Sequence, residues 1–418
     1  MKTFTGYQYL LIDVANNFNL DLDKERFEDR ISWAESKLTS LELLAESSEW
    51  KEKPLYLKAV QALRGAQQGK PTGHLVGLDA VCSGMQIMSA VTGCIKGATA
   101  TGLVDPDRRA DAYTECTGVM GNELGSTVVV DRSQVKNAVM TSLYGSKKEP
   151  KKEFGEDTPE LNAFYKAMYE IAPGACELLE ALVNSWQPYA KAHQWKLPDG
   201  FDVRVKVMAR KEHRIEVDEA GHSSFTYVYY ENDGCKRDVK NAANVIHSID
   251  AYVLRSLVRR CNYDGLRVAL VSQAITTSLL SARSARGDLV KLAQEYPAAK
   301  YYLEQYDWSG IVDPVILNSL DEGAVELLPV VYLRKLNKLL GTMLDHKPFE
   351  IVAVHDDFKA HPNNLNQLRS HYRNILGDLA DSSIIEGILS QIHGSHGTYT
   401  KMSPTLGNTI RNSNYALC

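Results

Sequence analysis

The sequence predicts an α+β protein that is mostly helical, with little sheet. Helical spacing of apolar residues fills most of the chain, and one segment near its middle alternates as a hairpin does. Two short apolar runs, far apart, each lead into an aspartate. A length of 418 residues suggests about three domains at about 150 residues each. Hydrophobic residues make up 44% and charged residues 24%, ordinary globular usage that excludes disordered, collagen-like and disulfide-scaffold classes. No run approaches about 18 uncharged apolar residues, so no membrane contact is expected. Met1 to Tyr7 carry neither an apolar core nor a cleavage site, so nothing there directs secretion. Seven cysteines without a CxxC pair read as reduced thiols. The net charge of −5 argues against a protein coated in nucleic acid but permits a local basic channel.

In chain order, the first 70 residues read as helices, with Phe27, Ile31 and Trp33 set among charges from Asp23 to Lys37 and a second apolar face over Tyr56 to Leu63. His74 to Val81 is a short apolar strand. Helical patterns follow over Met85 to Ile95 and Asp107 to Leu124. Lys147 to Lys152 and Leu197 to Gly200 read as charged or turn-forming breaks. Residues 201–230 alternate around Asp218 to His222, which predicts a β-hairpin carrying Arg204, Lys206, Arg210, Lys211 and Arg214. It would fit a groove or track a strand, or would be an edge ribbon protected by its charges. A helix is expected from Val239 to Arg260, mostly helical structure over 262–345, and a buried strand from Phe349 to Val354 ending in His355-Asp356-Asp357-Phe358.

Asp79 and Asp356 thus stand at strand ends, where an unpaired buried carboxylate is costly. Two carboxylates brought together repel unless they share a proton or a divalent cation, and hard oxygen ligands suit Mg²⁺. Ordinary strand-end turn chemistry explains either aspartate alone. Arg132, Lys136, Met140 and Tyr144 recur every fourth residue, which stacks them on one helix face. Two cations, a thioether and a phenol make a poor core face and a good cradle for a triphosphate with a sugar and base beyond it. A solvated helix with Tyr144 packed beneath it is the ordinary alternative.

Taken together, DxxCSGxQ (Asp79, Cys82, Ser83, Gly84, Gln86), RxxxKxxxMxxxYG (Arg132 to Gly145) and HDxF (His355, Asp356, Phe358) resemble, in order, the three core motifs of the single-subunit RNA polymerases of bacteriophages and mitochondria. Ala243 to Asp250 resembles that family's ANxxHSxD segment, Leu197 to Phe201 its PDGF turn before a promoter-reading hairpin, and Asn414 to Cys418 its short aromatic tail. The likeness spans nearly the whole chain except 262–345. Because it begins at a segment internal to the family, it resembles the larger subunit of the split, two-chain phage enzymes of the N-four type.

The resemblance implies a right-hand polymerase fold of palm and fingers with a small antiparallel palm sheet, lacking its own amino-terminal domain and thumb. Residues 1–95 would form the first part of the palm, 96–247 the fingers, 248–261 a return helix, 262–345 a helical insertion and 346–418 the second part of the palm. Asp79 and Asp356 would hold two Mg²⁺ ions about 3.5–4 Å apart. Arg132 and Lys136 would clamp phosphates, and His355 would place the primer end. Met140, Tyr144, Gly145 and His247 would line the nucleotide site, with His247 otherwise an ordinary helix histidine. Asp357 would be a bystander or support. A related DNA polymerase carries a glutamate where this chain has Gly84; the glycine leaves room for a ribose, whose 2′-hydroxyl Tyr144 would read.

The implied activity is DNA-directed RNA synthesis from ribonucleoside triphosphates in the cytoplasm of an infected bacterium. The partners would be a DNA template, the RNA product and a second subunit supplying the amino-terminal region and thumb, with room for an accessory promoter factor or single-stranded-DNA-binding factor. A DNA polymerase or primase of the same architecture, or a non-catalytic nucleic-acid-binding relic, are the alternatives. Retention of Asp79, Lys136, Tyr144 and Asp356 together speaks against the relic.

Overall fold

Thr5 starts the first helix: its hydroxyl accepts from the Gln8 N–H while the Gln8 side chain reaches back to the Thr5 N–H. The computed structural model describes residues 1–18, 21–46, 53–125, 129–281 and 286–418, so parts of the helical readings of 1–70 and 262–345 fall outside the described residues. Helix α1 (Gly6–Asn17) buries Tyr9 through Ala15. Its buried Asp13 holds His74 at 2.6 Å, just ahead of strand β1 (Val76–Asp79). Helix α2 (Ser83–Thr92) leaves β1 at once and is buried from Gly84 onward. Helix α3 (Ala112–Leu124) begins later than the apolar pattern predicted, because the Asp111 carboxylate caps it by accepting from the Tyr113 and Thr114 N–H groups. Asp131 does the same for α4 (Arg132–Ser142), accepting from Ser133.

The charged stretch at 147–152 is not a break. It forms α5 (Lys148–Phe154), with Pro150 in the first turn, where no helix amide is lost, and a Lys152–Glu149 ion pair at 2.7 Å. The expected helix near Asp23 is likewise shorter, a 3₁₀ turn over Leu22–Lys24 followed by Phe27–Ser36.

The predicted hairpin divides in two. Strand β2 (Ala192–Lys196) pairs with β3 (Asp202–Lys206) across the Leu197 to Phe201 turn, and only β4 (Ala209–Val217) and β5 (Ser223–Glu231) form the long ribbon. Its basic character is diluted there. Arg210 binds Glu212, Lys211 binds Asp233 and Arg214 binds Ser224, while Arg204 and Lys206 belong to β3.

Helix α6 (Lys240–Cys261) runs the length of the predicted element. After it, a second apolar cluster joins residues from Val268 to Met343, including the inner face of α7 (Val330–Leu344). The larger cluster joins residues from Tyr9 to Cys261 with Phe349 to Cys418.

The chain then returns as β6 (Val352–Val354) and β7 (Asp357–Ala360), followed by α8 (Leu365–Asp381) and α9 (Leu406–Ile410). The three-stranded antiparallel sheet has the order β1-β7-β6. Val76, Leu78, Phe358 and Ala360 face the core, and the alternation puts Gly77, Asp79, Asp357 and Lys359 together on the other face. Strand β6 is an edge strand, not the buried strand its valines predict: Val352 is 47% and Val354 53% exposed. All seven cysteines are free, and no helix among the described residues is long and apolar enough to cross a membrane.

Candidate active site

Sheet pairing brings the two sequence-distant aspartates together. Asp79 ends β1 directly opposite Asp357, and the next residue, Ala80, donates its N–H to the Asp356 carbonyl at 3.1 Å. His355 and Asp356 form the two-residue turn between β6 and β7. Neither aspartate is deeply buried: Asp79 is exposed and Asp356 half-buried, so neither stands in the core.

Two residues flanking them carry backbone strain. Cys82, which precedes α2, has φ 56°, and His355 has φ 58°, a left-handed conformation that non-glycine residues seldom adopt. Such conformations cost on the order of 1–3 kcal/mol each and persist where surrounding structure enforces them, often at functional sites.

The opposite wall is α4. Val135, Ala138 and Val139 are buried, which turns Lys136 and Met140 outward; Met140 is 47% exposed. Arg132 is less available than its spacing implies. Its guanidinium is bound to Asp111 (Nη2 to Oδ2, 2.5 Å) and to Thr114, and it lies 5.5 Å from the centre of the Tyr113 ring. The Lys136 ammonium lies over the same ring at 5.9 Å.

Tyr144 stands just beyond the helix, its ring 4.4 Å from that of His247 on α6. Gly145 follows at φ 87°, and a Cβ there would come within 3.1 Å of Val239. A Cβ on Gly84 would stand 2.9 Å from the Tyr144 hydroxyl, so the absent side chain is what lets this phenol approach α2. Burial, with help from Asp250 and Asp356, pushes the Tyr144 phenol up to about 12. It remains a protonated hydroxyl able to donate or accept.

Sequence reasoning assigned no role to Asp250, Cys82 or Tyr113. Asp250, one turn beyond His247 on α6, is pushed up to about 6, first by burial and then by the nearby Asp356 carboxylate. Its place in the ANxxHSxD segment was the available signal. The half-buried Cys82 thiol is held above its usual range by desolvation and bonds Tyr113, itself raised by burial. Nothing in the sequence marks Tyr113. Asp357 lies over Gly77, where a Cβ would meet its carboxylate oxygen, and pairs with Lys359 at 2.8 Å.

The donor set suits a divalent cation. Asp79 and Asp356 offer hard oxygens at adjoining strand ends. Mg²⁺ takes one or two protein carboxylates and completes its shell with water and phosphate oxygens. Among the described residues, three ligating groups converge elsewhere, at Glu216, Asp218 and His222 on the exposed tip of the β4–β5 ribbon.

Residues 3–157, which include the first aspartate and all of α4, match the family model of DNA-dependent RNA polymerase. The chain is similar to DNA-directed RNA polymerases of a phage and of a plant mitochondrion. It is 24% identical over 331 residues to the DNA-directed RNA polymerase of Pseudomonas phage phiKMV, covering 65% of this chain and 40% of that protein. It is 29% identical over 172 residues to DNA-directed RNA polymerase 1, mitochondrial, of Arabidopsis thaliana, covering 34% of this chain and 18% of that protein. The chain thus spans less than half the length of these curated relatives.

Proposed function

We propose that this chain is the catalytic part of a DNA-dependent RNA polymerase, joining ribonucleoside triphosphates to an RNA 3′ end on a DNA template. The observation that carries this reading is the meeting of Asp79 and Asp356 at adjoining strand ends beside Tyr144 and His247, within a chain related to that family. Asp79 and Asp356 would hold two Mg²⁺ ions. Bound there, the ions lower the pKa of the attacking hydroxyl and neutralise charge on the leaving pyrophosphate.

Lys136, outward on α4, attracts the triphosphate where charge develops in an in-line displacement. Arg132 sets the base of that wall through Asp111 and reaches phosphate only by exchanging that partner. His355, in the strained turn, stands beside Asp356 to place the primer end. Met140 and Gly145 shape the pocket around Tyr144. The palm, fingers and insertion boundaries follow the resemblance, as does a second polypeptide with the amino-terminal region and thumb. Relatedness to a phage enzyme favours action inside an infected bacterium.

The test is template-directed incorporation of radiolabelled ATP against dATP on single-stranded DNA, with Mg²⁺ and with EDTA. Ribonucleotide incorporation lost in EDTA supports the assignment, and a preference for dATP turns it into a DNA polymerase.

Tyr144→Phe keeps the ring and removes the hydroxyl. The preference for ribonucleotides should fall by about 1–3 kcal/mol, the scale of a lost buried hydrogen bond, as read from competing kcat/KM values. Unchanged discrimination would move the reading of the 2′-hydroxyl elsewhere, with His247 the next candidate. Gly84→Ala forces the Tyr144 phenol aside. KM for the nucleotide should rise about tenfold, roughly 1.4 kcal/mol and within the overpacking range, while template affinity stays constant. An unchanged KM would show that the phenol has room to move.

A further inference from the structure

We propose that the seam between the insertion and the main body binds a phosphate-bearing small molecule, at a site separate from the catalytic cleft. A cavity of about 330 Å³ lies there, lined by Arg260 of α6, Lys335 and Lys338 of α7, Asp378 and Asp381 of α8, and Arg411 just after α9. Cations outnumber carboxylates four to two in a chain whose net charge is −5.

The carboxylates are already engaged. Asp378 takes Arg260 at 2.9 Å and Arg411 at 2.8 Å, and Asp381 takes Arg411 at 2.6 Å. Arg411 is seated by shape, its side chain lying where a Cβ on Gly377 would be. Arg260 is only 1% exposed, and its buried Nε has no hydrogen-bond partner. An unmet donor on a buried cation is expensive, and an anion in the cavity would satisfy it. Helix α7, which brings Lys335 and Lys338 to the cavity, carries no acidic residue.

The volume is at the small end for ligand pockets, which suits a pyrophosphate or a nucleotide and leaves no space for a nucleic-acid duplex. Arg260 lies ten residues beyond Asp250 on the same helix, about 15 Å away. The site therefore has its own residues and does not depend on the polymerase reading.

The experiment uses the full chain carrying Lys136→Ala, in EDTA, so that neither metal nor catalytic lysine contributes. Calorimetric titration with inorganic pyrophosphate and, separately, with ATP should show one saturable site per chain. The exposed pair Lys335→Glu and Lys338→Glu should weaken it at least about fivefold, as expected on reversing two charges at an anion site, with an unchanged Tm. Tighter binding of ATP than of pyrophosphate identifies a nucleotide as the ligand; equal or weaker binding identifies the free phosphate. Absence of saturable binding, or binding indifferent to both substitutions, overturns the proposal. So does a single-stranded oligonucleotide that binds more tightly than either probe through the same two lysines. Loss of RNA synthesis in any assay would leave these titrations unaffected, so the two readings fail separately.

Discussion

Asp356→Asn, and equally Asp79→Asn, should cut nucleotide incorporation at least about a hundredfold, the scale of losing a transition-state electrostatic contact. Each substitution keeps the shape of the strand end and removes one negative charge. Template binding should survive, because neither residue supports the core: Asp79 is exposed and Asp356 only half-buried. Single-nucleotide extension of a labelled primer gives the rate, and fluorescence anisotropy on the same template gives the affinity. Wild-type extension by either variant would end the assignment of these carboxylates to catalytic metal. A loss of template binding as large as the loss of rate would make them electrostatic determinants of the cleft.

Deleting residues 415–418 should abolish activity and lower Tm. This segment closes the open edge of β1: the Cys418 N–H donates to the Asp79 carbonyl at 2.9 Å, the Asp79 N–H donates back at 3.2 Å, and Ala80 bridges Leu417. Gln86 of α2 donates to the Ala416 carbonyl at 2.9 Å, and the Tyr415 ring stacks on Phe27 with centroids 5.2 Å apart. Tyr415 and Leu417 are fully buried, and burying each such side chain contributes about 1.5–3 kcal/mol. That is a large share of a folding free energy of about 5–15 kcal/mol. Leu417→Ala, costing about 2–5 kcal/mol as a cavity, separates stability from geometry. At a temperature where it stays folded, it should retain most activity while the shortened chain has none. A folded, fully active shortened chain would show that Asp79 stands in place without the tail.

The sequence marked where the candidate site residues would lie more clearly than it marked the strand pairing, for physical reasons. The four-residue spacing of Arg132, Lys136 and Met140 survives in α4, with Tyr144 two residues past its end, because a helix face is a local property. Strand-end aspartates were readable because apolar runs stopped at them, although the length of those runs suggested burial that the edge position of β6 denies. Two features depend on residues distant in sequence and carried no local signal. Arg132 is held by a cap residue of another helix, Asp111. Tyr113 meets Cys82 only after folding. The β2–β3 pairing is different: the Leu197 to Phe201 turn that joins these neighbouring strands is a local signal, read as a break. The Lys148–Phe154 helix was missed because charge density was weighed above helix propensity, and lysine and glutamate are good helix formers.

The central sheet also sets a schedule for the newborn chain. Asp79 finds its cross-strand partner only at Asp357 and its outer partner only at Cys418, so about 340 residues must leave the ribosome before that strand is flanked on both sides. At about 5–20 residues per second, this is a wait of roughly 17–70 s. During that interval β1 offers unsatisfied amides and the apolar face of Val76 and Leu78 to whatever is nearby. Such long-range pairing folds slowly and exposes aggregation-prone edges. A ribosome that stalls between residues 262 and 345 would therefore leave a chain with α4 already shaped and no pair of carboxylates to serve it.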